Sequence, residues 1–519
     1  MANSSIYQRQ CPQVAAIFTA AKNSDKVLIV PLDFAKDKHV CLLCNGNGDQ
    51  LLKPFTVKNN RDGLYFLLER IQTTCKRHAI NPKHVILGGE DCPSYVINLL
   101  WALHQHKEIC VVRVNAWKAK KQRENVQAST DKLDLLGVAK TLINRDAYPV
   151  FDDDPRISEE NVNYEAMREL SRTRDALVEI QTAISNRIHS IVKVLFPGFL
   201  DSSKTNPVTP FSNTSLALME RKDFNAGAYA RKKPAYLAKL LTRQGVRDPS
   251  EKAFQVIERA RQVLPPDPQT IPYRQECLSA LIASYRHLQT QCRQLEEQEA
   301  QVLAATPAAV LTTVAGIGIV TCAAIAGEQG HVERLGSLHN LSSYAGIIPG
   351  TDQTGGPDNP GKSTKVKPRC NRKLKKHLVA AVSRMGNSVG TPEFRLEYAR
   401  LKNNGQHADF VMARRFLRVS KTLMLNKTIY LPPELRSDAF NRESLFEYLR
   451  VFWPKLKTKW HGLKAVDAAF ASNAPLGIWR EMIQKVYRIE LPLDRSSEVR
   501  LLLDGEDGRL PEFVKKLNR

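Results

Sequence analysis

The sequence predicts an α/β amino-terminal domain, a helical coiled-coil segment and a mainly helical carboxy-terminal domain. Three observations carry that prediction. Short apolar runs alternate with helical stretches between residues 26 and 150, and apolar residues recur every three or four positions through 177–195 and 278–295. Beyond residue 306 helical patterns are broken by a loop rich in Gly and Lys. The chain of 519 residues is long enough for roughly three domains.

The first strand is "KVLIVPLDFA", a buried run ending at Asp33. "KHVCLLCN" and "QLLKPFTV" follow as a hairpin across the turn at Gly46 and Gly48. A helix is expected over "DGLYFLLERIQTTCKRH" and a strand over "HVILGGE", ending at Glu90. The helix "SYVINLLWALHQH", the strand "EICVVRV" and a helix carrying Asp131 and Asp134 complete the set. A three-strand meander followed by strand and helix alternation is the order of an RNase H-like (RuvC-like) sheet. Cys41 and Cys44 have CxxC spacing, but on a strand they face opposite sides and no second pair accompanies them, so both read as structural.

In "QASTDKLDLLGVA" two carboxylates stand three residues apart near Leu133, Leu136 and Val138. Capping by Ser129 or Thr130, with acids favoured in the first turn, accounts for them locally. The wider order adds a second reading. Asp33 and Glu90 close two strands where open α/β sheets place their ligand sites, and Asp131 and Asp134 sit on a helix able to face them. Converging carboxylates repel by about 4 kcal/mol per close pair at an effective dielectric of 20, a penalty that divalent cations remove. Mg²⁺ prefers such oxygen ligands, and two metals can clamp both oxygens of a phosphoryl transfer.

From 151 to 305 the pattern is helical. "ALVEIQTAISNRIHSIVKVLF" and "LSALIASYRHLQTQCRQLEE" have seam spacing and are expected to pair with each other or across a dimer. Between them "AYARKKPAYLAKLLTRQGVR" suits an RNA- or DNA-contacting insertion or a solvated helical face. From 306 to 430 a third unit opens with Gly316 and Gly318 between helical stretches, a turn whose N–H groups could hold a phosphate or simply close two helices. Residues 361–376 then carry Lys362, Lys365, Lys367, Arg369, Arg372, Lys373, Lys375 and Lys376 and no acid, as a phosphate-tracking loop and helix would. A solvated basic helix is the alternative that the net charge makes weaker. Residues 431–519 form an extension of unknown role, in which Phe452, Trp453 and Trp460 alternate with lysines; a small helical core explains them better than a nucleic-acid platform does.

The balance of 76 basic against 53 acidic residues gives a net charge of +23, which favours a polyanion. No run of about 18 apolar residues spans a bilayer, and residues 1–25 lack the plan of a signal peptide. The expected location is the cytoplasm, at the nucleoid, with no membrane partner.

The ordered motifs resemble the DEDD transposases of RNA-guided insertion sequences, the bridge-RNA recombinases, a group that includes the Piv-type DNA invertase. "LDFAKDKHV", "GGEDCPSY" and "STDKLDLLGVA" are similar to that family's three acidic motifs. "VAGIGIVTCAAIAGEQG", "LSSYAGIIPG" and the following Thr-Gly-Gly resemble its later signatures, and "TPEFRLEYARLKNNGQHADFVMARRFLR" its terminal helices. The resemblance covers roughly residues 26–430. It implies a RuvC-like nuclease domain (26–150), a coiled-coil dimerisation segment (151–305) and a transposase domain (306–430), acting as a dimer or tetramer on target and donor DNA chosen by a structured guide RNA. It also implies that Asp33, Glu90, Asp131 and Asp134 bind Mg²⁺, for which Mn²⁺ can substitute.

In such enzymes a serine of the transposase domain forms a covalent bond to DNA. Where the family has Ser-Ser-Gly-Gly, this chain has Gln353, Thr354, Gly355 and Gly356. Thr354 keeps a hydroxyl, and the glycines let backbone approach a phosphate. Ser363 and Thr364 are alternatives, as is a chain that has lost strand transfer and kept binding. The Glu-x-Thr-Gly that usually follows the second acid is here Glu90, Asp91, Cys92 and Pro93.

Overall fold

In the computed structural model the described residues are 10–90, 96–123, 130–150, 155–201, 208–314, 316–332, 337–352, 362–366, 370–387, 392–405, 407–426 and 430. The chain divides into two units, Met1–Ser158 and Glu159–Arg519.

The first unit begins with α1 (Pro12–Ala21) and continues through β1 (Leu28–Asp33), β2 (Lys38–Asn45), β3 (Gln50–Lys58), α2 (Arg61–His78), β4 (Val85–Glu90), α3 (Ile97–His104), β5 (Ile109–Val114), α4 (Ala116–Lys121), α5 (Asp131–Ile143) and β6 (Tyr148–Pro149). Its sheet has the order β3-β2-β1-β4-β5-β6. The first three strands are an antiparallel meander, β1, β4 and β5 run parallel, and β6 is antiparallel. This mixed sheet is consistent with an RNase H-like domain.

Alternation along the strands sorts side chains into two cores. Leu28, Val30, Leu32, Val85 and Leu87 pack on α2 and α3, whereas Ile29, Ile86, Val112 and Val114 pack with α1, α4 and α5. Because both faces are covered, the central strands are apolar without a polar side. Cys41 and Cys44 fall one into each core, and burial pushes the Cys44 thiol up to about 12. Both are inert packing groups.

The second unit is mainly helical. α6 (Pro155–Leu195), which starts ahead of it, is followed by α7 (Asn213–Met219), α8 (Ala226–Ala230), α9 (Pro234–Arg243), α10 (Pro249–Gln262) and α11 (Ile271–Ala304). Ser171 donates to Glu299 at 2.9 Å and Arg174 to Glu296 at 2.8 Å, so α6 and α11 run antiparallel within one chain. Their far ends, Ile188 to Leu195 and Leu278 to Ile282, close a separate core with α7–α10. The basic stretch between the long helices is therefore a folded insertion.

Beyond α11 come α12 (Ile319–Gln329), α13 (Leu338–Tyr344), β7 (Pro349–Asp352), β8 (Lys362–Val366), α14 (Arg372–Met385), α15 (Pro392–Asn403) and α16 (Ala408–Asn426); the helices α12 to α16 share one core with Tyr164, Met167, Ala300 and Leu303. The buried Glu328 carboxylate ties this region together: it takes two bonds from Arg172, at 2.7 and 3.0 Å, and one from Asn371 at 2.7 Å. Among the described residues no helix is long and apolar enough to cross a membrane.

Candidate active site

Strand alternation aims two acids at one helix. Asp33 lies an even number of positions from Ile29, and Glu90 from Ile86, so each belongs to the face on which α5 packs. Parallel pairing brings Leu32 level with Gly89, which sets Asp33 beside Glu90 at neighbouring strand ends. α5 starts over this edge. Its N-cap is Thr130, whose hydroxyl accepts from Leu133 N at 3.3 Å, and its first turn carries Asp131 and Asp134. Leu135, Val138 and Leu142 supply its buried face, while Leu133 and Leu136 are half-buried.

Asp33 feels the other three acids. Burial, then the charges of Asp134, Asp131 and Glu90, push the Asp33 carboxyl up to about 6, against the opposing pull of Arg123. Burial also raises Glu90 above the usual carboxylate range, opposed by Arg123 and reinforced by Asp134. The cation among them was not singled out from the sequence. Arg123, with a side chain only 6% exposed, places Nη2 2.7 Å from Asp134 Oδ1 and 3.4 Å from Glu90 Oε1. Nothing in "KKQREN" marks this arginine off from its basic neighbours.

Close packing holds Arg123 there. Gly137 faces α4, and a methyl at this position would overlap the Ala119 carbonyl oxygen and press on the Arg123 side chain. Gly89 has a similar role on the strand, where a methyl would strike the Phe34 ring and the Leu32 carbonyl. The donor set is all oxygen and anionic, which suits a hard divalent cation. Among the described residues no group of three or more His, Cys, Asp or Glu is arranged so that it could hold a metal ion, and Arg123 stands between two of these acids.

The expected nucleic-acid residues divide differently. Thr354, Gly355, Gly356, Lys367 and Arg369 lie outside the described residues, as do 431–519. β7 and β8 form the antiparallel pair that brackets 353–361, with Asp352 opposite Lys362 and Gly350 opposite Thr364; Lys365 also lies on β8. Gly316 has φ of 90° and abuts the Arg384–Met385 backbone, and Gly318 is the extended N-cap of α12. The segment before them, Pro307–Thr313, is a 3₁₀ helix.

On α14 the cations are partly engaged. Lys376 lies 2.8 Å and Lys373 3.7 Å from Asp175, and Lys375 stands over the Phe410 ring at 4.6 Å. Burial opposes ionisation of Asp175, but the bond from Lys376 and the charges of His377, Lys376 and Lys373 hold it below the usual range. Arg372 is exposed at the helix start.

Two family models match the chain. A DEDD transposase model of the IS110 type, described as a transposase, matches residues 30–197, and a model described as transposase of the IS116/IS110/IS902 family matches residues 308–399. The first spans all four acids and the second spans β7, Thr354 and β8. No curated protein matches the chain.

Proposed function

The chain belongs to the IS110 family of DEDD transposases, and from that premise we propose that it cuts and rejoins DNA as an RNA-guided recombinase. Asp33, Glu90, Asp131 and Asp134 are the residues that would hold the divalent cations on which this chemistry depends, with Mg²⁺ as the expected ion. Bound there, the metal would supply Lewis-acid stabilisation at phosphate oxygens. The observation that carries the reading is the setting of Asp33 beside Glu90 at neighbouring strand ends under the first turn of α5, where burial and then the charges of Asp134, Asp131 and Glu90 push its carboxyl up.

Thr354 is the nucleophile. Its Oγ1 gives up a proton and bonds to phosphorus while one strand P–O bond breaks; the departing oxygen leaves as a hydroxyl, and rejoining reverses the exchange. Dimers or tetramers assemble the working complex on target and donor DNA. Thr354→Ala abolishes, and Thr354→Ser retains, a DNA adduct that survives denaturation. Asp33→Asn lowers strand cutting by at least about a thousandfold with DNA binding intact. An adduct that persists in Thr354→Ala refutes the nucleophile; cutting that leaves free 5′-phosphates and no adduct points instead to a water-using RuvC-like nuclease, and binding without any cutting to a non-catalytic RNA- and DNA-binding protein, the reading that the altered serine motif favours.

A further inference from the structure

The helical insertion carries a cationic face that neither the acids nor the β7–β8 pair uses. From Phe224 to Arg247 the chain has six Lys or Arg and no Asp or Glu. α9 turns Leu237 and Leu241 into the insertion core, so Tyr236, Lys239 and Arg243, three and four residues apart, share its exposed side.

Tyr236 is 49% exposed but held in place. Arg221 donates to its hydroxyl at 3.1 Å, and Arg221 and Lys232 stand 5.9 and 5.3 Å from its ring centroid. Both cations are tied to Asp223, Arg221 by bonds of 3.0 and 3.3 Å and Lys232 by an ion pair. Burial opposes ionisation of Asp223, but the bonds from Arg221 and Lys232 hold it below the usual range, so the clamp stays charged at neutral pH. The outer cations differ. Arg231, Lys233, Lys239 and Arg243 are exposed and have no acidic partner among the described residues.

We propose that this face binds a single-stranded stretch of RNA, its phosphates on Arg231, Lys233, Lys239 and Arg243 and one unpaired base stacked on Tyr236. Duplex DNA offers phosphates but keeps its base faces covered, so cations alone would serve it and a ring fixed in the open would add nothing. A flat, preoriented aromatic among cations matches an unpaired base, and folded RNA displays such bases in loops and bulges. The assignment rests on the RNA-guided reading above.

The full chain, in EDTA so that no strand is cut, is titrated with a fluorescent mixed-sequence single-stranded RNA, the same sequence as single-stranded DNA, and duplex DNA. Tyr236→Ala weakens RNA binding about tenfold, while Tyr236→Phe, which keeps the ring, changes it much less. Lys239→Ala with Arg243→Ala lowers the slope of log affinity against log salt by about 1.4 for RNA. These side chains are exposed, so the melting temperature of each variant matches the parent and reports intact folding. Unchanged RNA affinity and slope overturn the proposal, as do losses equally large for either DNA. If Tyr236 dependence holds while the Thr354 adduct never forms, the recombinase reading fails and this one stands.

Discussion

Arg123 shows how one side chain can decide the state of a charged site. It is the cation between Glu90 and Asp134, and its positive charge opposes the rise in the Asp33 carboxyl. Removing one partner from a largely buried ion pair leaves the acids to repel one another, so Arg123→Gln should cost the metal-free protein about 2 kcal/mol. Mg²⁺ should then restore more stability to the variant than it adds to the parent. Urea unfolding with and without Mg²⁺ reads both effects; equal stability in EDTA would remove Arg123 from this role. Asp33 and Glu90 could be found from sequence because each ends an apolar run. Arg123 could not, since its importance lies in which acids the fold sets beside it.

At the scale of elements, capping and convergence are both true of α5: Thr130 caps the helix, and the turn it starts faces the strand ends. The contact of α4 with α5 depends on a missing side chain. Gly137→Ala should force the helices apart, lower stability by about 2 kcal/mol and loosen Arg123; unfolding measurements that match the parent would sink this account. The pairing of α6 with α11 carries a pH signature. Glu299 is fully buried, accepts a bond from Ser171, and is pushed by burial from 4.5 up to about 7.

A carboxyl that binds its proton more tightly when folded contributes most below its unfolded pKa and loses that contribution as pH rises through the folded one. Stability should therefore fall between about pH 4.5 and 7 by an amount on the order of 2–3 kcal/mol, and Glu299→Gln should remove that slope. Unfolding free energies of both proteins at pH 4.5 and 8 are the check, and a parent curve as flat as the variant's would refute it. The seam spacing of 177–195 and 278–295 was legible in the sequence, but spacing is the same for a partner in the same chain or another. Ser171 and Arg174, bonded to Glu299 and Glu296, mark a contact made within this chain.

Across the whole molecule, the net charge of +23 foretold a polyanion but not where it would be held. In the run from 361 to 376, Lys373 and Lys376 are drawn to Asp175 of α6, while on α9 Lys239 and Arg243 are left to solvent. The two stretches look alike in composition. By itself the sequence determined the first five strands, the helical periods and the four acids at element ends, because alternation and helical spacing are local and repeat along the chain. The tertiary structure decided which cations are neutralised, which arginine enters the acid cluster and which glycines permit it, because those depend on close approach between residues that no local pattern relates.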